Sequence, residues 1–360
     1  AGSGKTKTIS HRIAYGVASG VYAPEKVLAL SYTSRSAAEL RARINSLGVP
    51  AVQVRTVHAS ALAQLRHFWP QITGVSAPKI ATSKKDLLLQ SLKNLKIDSN
   101  QSVLRELASE IEWWKYSMLS PYQYLERATE RKLETLNFSV AHKVIVEYER
   151  VKAESKQIDW EDVLLLTLGM LKSEPRVIEQ VRAQYRFFTI DEFQDISPLQ
   201  FELLQQWLGD RSDLCVVGDP RQTIYTFAGA SQGFLNGFES HFENTNSIEL
   251  SNNYRSGSTI VNLANHVMKH LPAMNSVSGV GQIQIQSYAN EASEAKGVAR
   301  MIAEDLNQEI PAYEIAVLFR INNQAQLIGE KLSELGIRHQ IKTAEKFFQL
   351  PVVSQAVQMI

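Results

Sequence analysis

Cysteine is nearly absent from this chain, since Cys215 is the only one among 360 residues. A disulfide framework within the chain and a zinc site built from several cysteines are therefore excluded, and such a low content is typical of a reducing compartment. Long apolar runs are also missing, because the longest, residues 163–171, is interrupted by Thr167 and Gly169. A membrane-spanning helix needs about 20 apolar residues, so the sequence predicts no membrane segment, and it shows no secretory-signal pattern.

The chain also has little net charge, because 38 Lys and Arg residues balance 37 Asp and Glu residues and leave +1. Hydrophobic residues make up 44% of the chain and charged residues 21%, which is typical of a folded protein, and this length predicts two or three domains. Residues 1–70 differ, since they hold nine basic and two acidic side chains. Such a segment is typical of a surface that meets phosphate or nucleic acid, although charge alone favours a solvated surface.

Helix and strand patterns alternate in residues 1–70 and again from about residue 159, which predicts an α/β fold with a parallel sheet. The predicted elements are helices at 7–19 and 36–47 and strands at 27–32, 52–57, 186–190 and 214–217. Residues 71–157 instead show helical patterns, as at 87–95 and 101–114, and predict a helical insertion. A strand at 314–320 and a helix at 324–335 predict the start of a second α/β unit.

The first six residues, Ala-Gly-Ser-Gly-Lys-Thr, match the end of a Walker A phosphate-binding loop, whose full pattern is G-x-x-x-x-G-K-[ST]. Gly2, Ser3 and Gly4 would let backbone N–H groups close around phosphate oxygens at the positive end of the following helix. Lys5 would neutralise the β- and γ-phosphates, and Thr6 would hold Mg²⁺. The motif therefore predicts ATP and Mg²⁺ as ligands.

A second acidic motif comes directly after the predicted strand 186–190. Asp191 occupies the position of a Walker B carboxylate and would hold Mg²⁺, while Glu192 would take a proton from the attacking water. Acidic residues are also common at helix N-termini. Two phosphate motifs in the right order on matching strand–helix junctions favour the nucleotide site.

The acidic motif, Asp-Glu-Phe-Gln-Asp at 191–195, resembles that of superfamily 1A helicases of the UvrD/Rep/PcrA type. Six more segments resemble motifs of this family in the same order: 29–38 (ALSYTSRSAA), 56–60 (TVHAS), 158–164 (IDWEDVL), 216–230 (VVGDPRQTIYTFAGA), 250–256 (LSNNYRS) and 318–322 (LFRIN). The Trp113-Trp114 pair and the stretch 68–70 are most similar to the branch that carries an HRDC domain.

The resemblance implies a RecA-like P-loop NTPase domain, 1A, made of residues 1–70 and 158–255, with a helical subdomain, 1B, at 71–157. Residues 256–360 would form the first part of a second RecA-like domain, 2A, which stops near the start of its large insertion, 2B. The stretch 346–348 resembles the segment that leads into that insertion.

The resemblance also implies roles in a nucleotide site between the two RecA-like domains. Gln222 would sense the γ-phosphate, and Arg255 would be an arginine finger from the second domain, a role that suits a planar, bidentate cation. Tyr254 would stack on the adenine. Lys7 stands where the family has an arginine on the other face of the adenine, and lysine stacks less well.

By the same resemblance, seven residues would contact DNA: Tyr32, Thr33, Thr56, His58, Tyr225, Phe227 and Arg320. Aromatic rings stack on any base, which suits a motor that moves along arbitrary sequence. Tyr225 and Phe227 could instead be core aromatics, and a lone histidine such as His58 is often structural. The chain departs from the family pattern with Phe227 for tryptophan, Ala228 for arginine and Arg221 for aspartate.

The resemblance implies an ATP-dependent DNA helicase that moves 3′ to 5′ on single-stranded DNA and acts at single-strand/double-strand junctions. Repair or replication restart would be its setting, in the cytoplasm and associated with the nucleoid. Three other functions remain open: the motor of a RecB-like helicase–nuclease, a single-strand-binding module without productive ATPase, and a P-loop enzyme acting on small molecules. Family motifs are expected before Ala1 and after Ile360, so we expect this chain alone to hydrolyse ATP poorly and not to unwind DNA.

Overall fold

The structure is a computed structural model that describes residues 1–128, 131–320 and 323–341. The chain divides into two compact units, Ala1–Gln282 and Ile283–Ile360. Within the described residues, no helix combines the length and the apolar character that crossing a membrane requires. The stretch 346–348 and residues 321–322 of the last family-like segment lie outside the described residues.

The first half of the first unit contains strands and helices in alternation, followed by a run of helices. These elements are α1 (Lys5–Ala18), β1 (Val27–Ser31), α2 (Ser34–Ser46), β2 (Gln53–Thr56), α3 (Val57–Thr73), β3 (Lys79–Ile80), α4 (Lys84–Asn94), α5 (Gln101–Tyr116), α6 (Pro121–Ala128) and α7 (Phe138–Glu154).

The second half of the first unit returns to the α/β alternation. Its elements are β4 (Gln157–Ile158), α8 (Trp160–Ser173), α9 (Pro175–Gln184), β5 (Phe187–Ile190), α10 (Pro198–Leu208), β6 (Leu214–Val216), α11 (Gly233–Asn236), α12 (Phe238–His241), β7 (Asn252–Gly257), α13 (Ser258–Val267) and β8 (Asn275–Ser278). Three short 3-10 turns, at Phe193–Asp195, Pro220–Gln222 and Thr226–Ala228, follow strands β5 and β6.

A four-stranded sheet in the order β2-β1-β5-β6 forms the centre of this unit, and all its neighbours pair in parallel. Every residue of β1 is buried, because helices cover both faces of the sheet. Leu28 and Leu30 pack in one core with residues of α3, α8 and α10, whereas Val27 and Ala29 pack in another with α1 and α2. The predicted α/β class with a parallel sheet is confirmed.

Helices α4 to α7 have a hydrophobic core of their own, which includes Leu92, Leu107, Ile111 and Tyr148. Full burial of one such leucine contributes roughly 1.5–3 kcal/mol. The region is not purely helical as predicted, since β3 pairs in parallel with β4 and ties the start of the helical segment to its end.

In the second unit, α14 (Glu291–Asn307) packs on α15 (Asn323–Glu334) through small and branched apolar side chains. The predicted strand at 314–320 is wrong: Ala312–Glu314 is a 3-10 turn, and residues 315–320 have no regular structure. Leu318 in this segment is 92% exposed. A strand must pair its backbone groups with a neighbour, and the described part of this unit offers no strand to pair with.

Candidate nucleotide and nucleic-acid site

The carboxyl ends of the parallel strands β1, β2, β5 and β6 lie along one edge of the sheet, where α/β proteins bind ligands. The motif residues that follow these strands are therefore brought to one edge. This placement follows from strand direction, because the residue after each parallel strand emerges on the same side.

The glycine-rich loop leads into α1 with two residues in the left-handed backbone region. Gly4 caps α1 with a φ of 86°, which glycine adopts at no steric cost. Gly2 has a φ of 76°, and a Cβ there would lie 2.8 Å from both Arg255 Cβ and Asn253 Oδ1. Gly2 is therefore required both by its backbone conformation and by the close approach of strand β7.

The loop threonine and the acidic strand end meet directly. The hydroxyl of Thr6 donates a hydrogen bond to Asp191 Oδ2 at 3.0 Å, and Asp191 is only 4% exposed. Burial and the negative charge of Glu192 raise the pKa of Asp191 above its usual value, against the Thr6 hydrogen bond and the charge of Lys5, which lower it. Hydroxyl and carboxylate oxygens are ligands that Mg²⁺ prefers, so this pair fits a magnesium ion.

Glu192 follows Asp191 in a left-handed conformation with a φ of 55°, which is uncommon for a residue with a side chain. Its Oε2 accepts a hydrogen bond from Gln194 Nε2 at 2.8 Å. Gln194 is 1% exposed. Sequence reasoning gave this glutamine no role, although a polar amide between two acidic residues was a signal that it bonds to them.

Gln222 joins the same group through Asp219. Its Nε2 donates to Asp219 Oδ2 at 2.7 Å, and the backbone N–H of Asp219 donates to Gln194 Oε1 at 3.0 Å. Asp219 is 6% exposed and was also missed as a site residue. The hydrogen bonds thus connect Glu192, after β5, with Gln222, after β6.

Strand β7 runs beside the glycine-rich loop. The backbone N–H of Tyr254 donates to the carbonyl of Gly2 at 2.8 Å, and Asn253 Oδ1 accepts from the N–H groups of Arg255 and Ser256, each at 2.9 Å. The Tyr254 and Arg255 side chains are exposed, as is Lys7 in the first turn of α1. Arg255 lies in the same compact unit as the glycine-rich loop. Asn253, whose side chain accepts these two hydrogen bonds, was not predicted as a site residue.

Three of the predicted DNA contacts form a row of rings. The ring centroids of Tyr32 and Tyr225 are 4.4 Å apart, and those of Tyr225 and Phe227 are 6.2 Å apart. Phe227 is 52% exposed, so it is not a core aromatic. The backbone N–H of Ile224 donates to Asp195 Oδ1 at 3.3 Å, which anchors this loop to the acidic motif.

Two of the predicted DNA-contacting threonines cap helices at the same edge of the sheet. Thr33 Oγ1 accepts from the N–H of Ser36, and Thr56 Oγ1 accepts from the N–H of Ala59, both at 3.1 Å. Helix N-termini attract phosphate, so α2 and α3 present two positive ends beside the ring of Tyr32.

The other two predicted DNA contacts are placed differently. His58 Nε2 lies 3.1 Å from the hydroxyl of Tyr116, and its ring packs edge-on against Trp160. Burial, with the charge of Lys84 nearby, lowers the pKa of His58 to about 4, so it carries no charge at neutral pH. Arg320 lies in the second compact unit with an exposed side chain.

A second group of carboxylates lies at the junction of α5, α7 and α8. The carboxylates of Glu149, Asp159 and Asp162 are close enough together to hold a metal ion. The ammonium groups of Lys115 and Lys152 lie among them, with Lys115 Nζ 2.7 Å from an oxygen of each aspartate. The ammonium groups of Lys115 and Lys152 therefore offset part of the negative charge of this group.

Family models match nearly the whole chain. Residues 1–243 match the UvrD/REP helicase N-terminal domain, and residues 248–360 match the UvrD-like helicase C-terminal domain. The matched boundaries fall in the chain segment between α12 and β7.

Several bacterial helicases are similar to this chain. The ATP-dependent DNA helicase UvrD2 of Mycobacterium tuberculosis (strain ATCC 25618 / H37Rv) is 37% identical over 380 residues, which cover 99% of this chain and 54% of the relative. UvrD1 of the same strain is 31% identical, over 97% of this chain and 48% of the relative. The ATP-dependent DNA helicase PcrA of Leuconostoc citreum is 30% identical, over 97% and 48%. The chain thus spans about half the length of these relatives.

Proposed function

This chain belongs to the UvrD/Rep helicase family, and from that premise we propose that it is the ATP-driven motor part of a DNA helicase. The motor moves 3′ to 5′ along single-stranded DNA and acts at single-strand/double-strand junctions. One observation carries the proposal most strongly: Thr6 and Asp191 are hydrogen-bonded at 3.0 Å although 185 positions separate them in sequence. Such a contact would allow a phosphate loop and a Walker B carboxylate to bind the same ligand.

The nucleotide would bind at the N-terminus of α1. Backbone groups of Gly2, Ser3 and Gly4 would face the phosphates, and Lys5 would neutralise their oxygens. Thr6 and Asp191 would hold Mg²⁺, which when bound would offset the charge of the phosphates. Exposed Lys7 and Tyr254 would contact the adenine, and Arg255 would reach a phosphate.

Hydrolysis needs a base for the attacking water. Glu192 lies next to Asp191 and its carboxylate is oriented by Gln194. It would accept the proton of the water as the water attacks the γ-phosphate, and Gln222 would respond to the presence of that phosphate. The hydrogen bonds from Gln222 through Asp219 to Gln194 support a joint response of these residues.

DNA would lie along the row of Tyr32, Tyr225 and Phe227, with its backbone near the N-termini of α2 and α3, where Thr33 and Thr56 are located. Each stacked base contributes roughly 1–3 kcal/mol without regard to sequence. His58 would contact DNA as a neutral ring, and Arg320 would contact the DNA backbone. Repair or replication restart, in the cytoplasm near the nucleoid, is the proposed setting.

Because this chain alone is expected to hydrolyse ATP poorly, the proposal is tested on the chain extended at both ends, and the variants below are made in that extended chain. Steady-state ATP hydrolysis is measured with and without a poly-dT oligonucleotide, together with translocation on oligonucleotides labelled with a fluorophore at either end. We expect DNA to stimulate turnover, and the 5′-end label alone to respond after a lag that grows with DNA length. Turnover that DNA does not affect would favour a small-molecule P-loop enzyme instead. A lag at the 3′-end label would contradict the direction.

The DNA surface is tested separately by Phe227→Ala. Loss of one stacking ring should weaken the binding of poly-dT by roughly 1–3 kcal/mol, measured by fluorescence anisotropy. Phe227→Trp should bind at least as tightly as the natural chain, because it enlarges the stacking area. Equal affinity of Phe227→Ala and the natural chain would remove Phe227 from the DNA surface.

A further inference from the structure

Gln194 makes three hydrogen bonds that meet at one buried amide. Its Nε2 donates to Glu192 Oε2 at 2.8 Å and to Asp195 Oδ2 at 3.2 Å, and its Oε1 accepts from the backbone N–H of Asp219 at 3.0 Å. The side chain is 1% exposed. A primary amide is the neutral side-chain group that can donate two hydrogen bonds and accept another at once.

The three partners of Gln194 belong to different parts of the proposed machinery. Glu192 is the proposed base. Asp219 binds Gln222 through Oδ2, and Asp195 binds the backbone N–H of Ile224 through Oδ1, next to the ring of Tyr225. Gln194 therefore links the proposed base to both ends of segment 219–225, which contains Tyr225 and precedes Phe227.

The packing around Gln194 leaves it little freedom. A Cβ on Gly218 would lie 2.9 Å from Gln194 Oε1 and 3.1 Å from its backbone nitrogen. A Cβ there would also lie 2.7 Å from Leu235 Cδ2, so glycine at this position is explained by the close approach of Leu235 and Gln194 rather than by an unusual φ. A movement of Gly218 together with segment 219–225 would therefore displace the side-chain amide of Gln194, which donates a hydrogen bond to Glu192.

We propose that Gln194 is a positioning residue that ties the orientation of Glu192 to the position of segment 219–225. DNA that binds Tyr225 and Phe227 fixes this segment, and Gln194 transmits the change to the carboxylate that receives the proton. The inference rests on the proposed function. It adds a connection between the strand ends of β5 and β6 that does not pass through the nucleotide.

The test compares DNA-stimulated ATP turnover of three variants between pH 6 and pH 9. Gln194→Met keeps the size of the side chain but forms no hydrogen bonds. Gln194→Glu regains one donor only when its carboxyl group is protonated. Gln200→Glu is the matched control, because Gln200 is also buried and its Oε1 only accepts from the N–H of Ser197, which glutamate can replace.

We expect Gln194→Met to lower the DNA-stimulated kcat by about 10- to 100-fold at every pH, as for loss of hydrogen bonds to a charged group, with little change in KM for ATP. Turnover of Gln194→Glu relative to the natural chain should rise as the pH falls, because the protonated carboxyl donates to Glu192. Gln200→Glu should match the natural chain. Full DNA stimulation in Gln194→Met, or a loss in Gln194→Glu that ignores pH, would overturn the proposal.

Two further measurements separate the possible failures. Thermal unfolding is followed first, and if Gln194→Met does not unfold cooperatively, the pH dependence of Gln194→Glu decides. If the natural chain shows no stimulation by DNA, the proposed function fails, and hydrogen exchange at the Asp219 amide then tests the positioning alone. Its protection should fall by about 10-fold when the acceptor Gln194 Oε1 is lost; unchanged protection would overturn the link.

Discussion

Two groups of buried and half-buried carboxylates lie in the same compact unit, and they differ in how far nearby cations offset their negative charge. The first group lies at the junction of α5, α7 and α8 and contains Glu149, Asp159 and Asp162. The second lies after β5 and contains Asp191, Glu192 and Asp195. Both are acidic clusters in sequence, and only their surroundings distinguish them.

Most of the charge of the first group is offset within the fold. Asp159 Oδ2 lies 2.7 Å from Lys115 Nζ and 3.2 Å from Lys152 Nζ, and it also accepts from the Tyr148 hydroxyl at 3.1 Å. Burial by itself would raise the pKa of Asp159, but the charges of Lys115 and Lys152 outweigh burial and hold it well below its usual value. Asp159 is therefore ionised, and its ion pairs with the two lysines stabilise the junction.

The second group is not neutralised in this way. Burial, with the charge of Glu192 adding to it, raises the pKa of Asp195 to about 6 although backbone N–H groups and Gln194 lower it. Burial and the charge of Glu192 also raise the pKa of Asp191. Carboxylates with raised pKa values in a cluster are typical of functional sites. Carboxylates with raised pKa values at a strand end therefore distinguish the proposed site, whereas a cluster of acidic residues alone does not.

The largest expected effect removes the proposed base from the second group. Glu192→Gln keeps the shape of the side chain and an oxygen that can accept from Gln194, but it can no longer take a proton from water. DNA-stimulated ATP hydrolysis should fall by about 100- to 10,000-fold, while nucleotide affinity and the free energy of unfolding stay close to those of the natural chain. Intact hydrolysis in this variant would show that another residue is the base.

A substitution in the first group is expected to lower the free energy of unfolding and to leave hydrolysis unchanged. Asp159→Asn keeps the oxygen that caps α8 but removes one of the three carboxylates that Lys115 and Lys152 both contact. The free energy of unfolding, measured by urea denaturation, should fall by about 1.5–3 kcal/mol, as for loss of hydrogen bonds to a charged group. Hydrolysis per folded molecule should persist. Arg150→Gln, which removes an exposed ion pair with Glu147, serves as control and should change stability little. A stable Asp159→Asn would contradict the comparison.

A smaller effect follows from the pKa of Asp195, which is about 6 in the folded chain and about 4 in an unfolded one. Between these values the folded chain holds a proton that the unfolded chain has lost. The stability contributed by this group is therefore present below about pH 4 and is lost as the pH rises through 6.

Asp195→Asn removes this dependence and can still accept from the N–H of Ile224. Relative to the natural chain, its free energy of unfolding should increase between pH 4 and pH 7 by about 1 kcal/mol, since solvent screening reduces the full shift. Urea denaturation at both pH values measures the difference, and all other titrating groups are common to the two proteins. A difference that does not vary with pH would mean that the charge of Asp195 is offset as well as that of Asp159.

Much of the fold was predictable because its signals are local. The run of apolar residues in β1 identifies a strand covered on both faces, and its observed bounds, Val27–Ser31, differ from the predicted ones by one residue. The strand predicted at 314–320 has a similar apolar run and does not form. An apolar pattern indicates which side chains can be buried in a core, whereas a strand also needs a neighbouring strand that pairs with its backbone N–H and C=O groups.

The residues of the candidate site were likewise predictable only in part. The types and spacing of Lys5, Thr6, Asp191 and Glu192 were sufficient to predict a nucleotide site, because phosphate and magnesium demand those groups. Gln194, Asp219 and Asn253 were missed, because their roles are hydrogen bonds between residues of different strand ends or between a strand and the loop. Such bonds depend on the register of the parallel sheet.

The α/β order, the phosphate motifs and the family of the chain could be predicted from the amino-acid sequence. Each of these depends on residue type at short spacing along the chain. The lysines beside one acidic cluster, their absence among the ion pairs of the other in the described residues, and the amide that bonds to Glu192, Asp195 and Asp219 became visible only in the folded chain. The physical reason is that charge and hydrogen bonding depend on distance in space, and parallel strands bring together ends that are far apart in sequence.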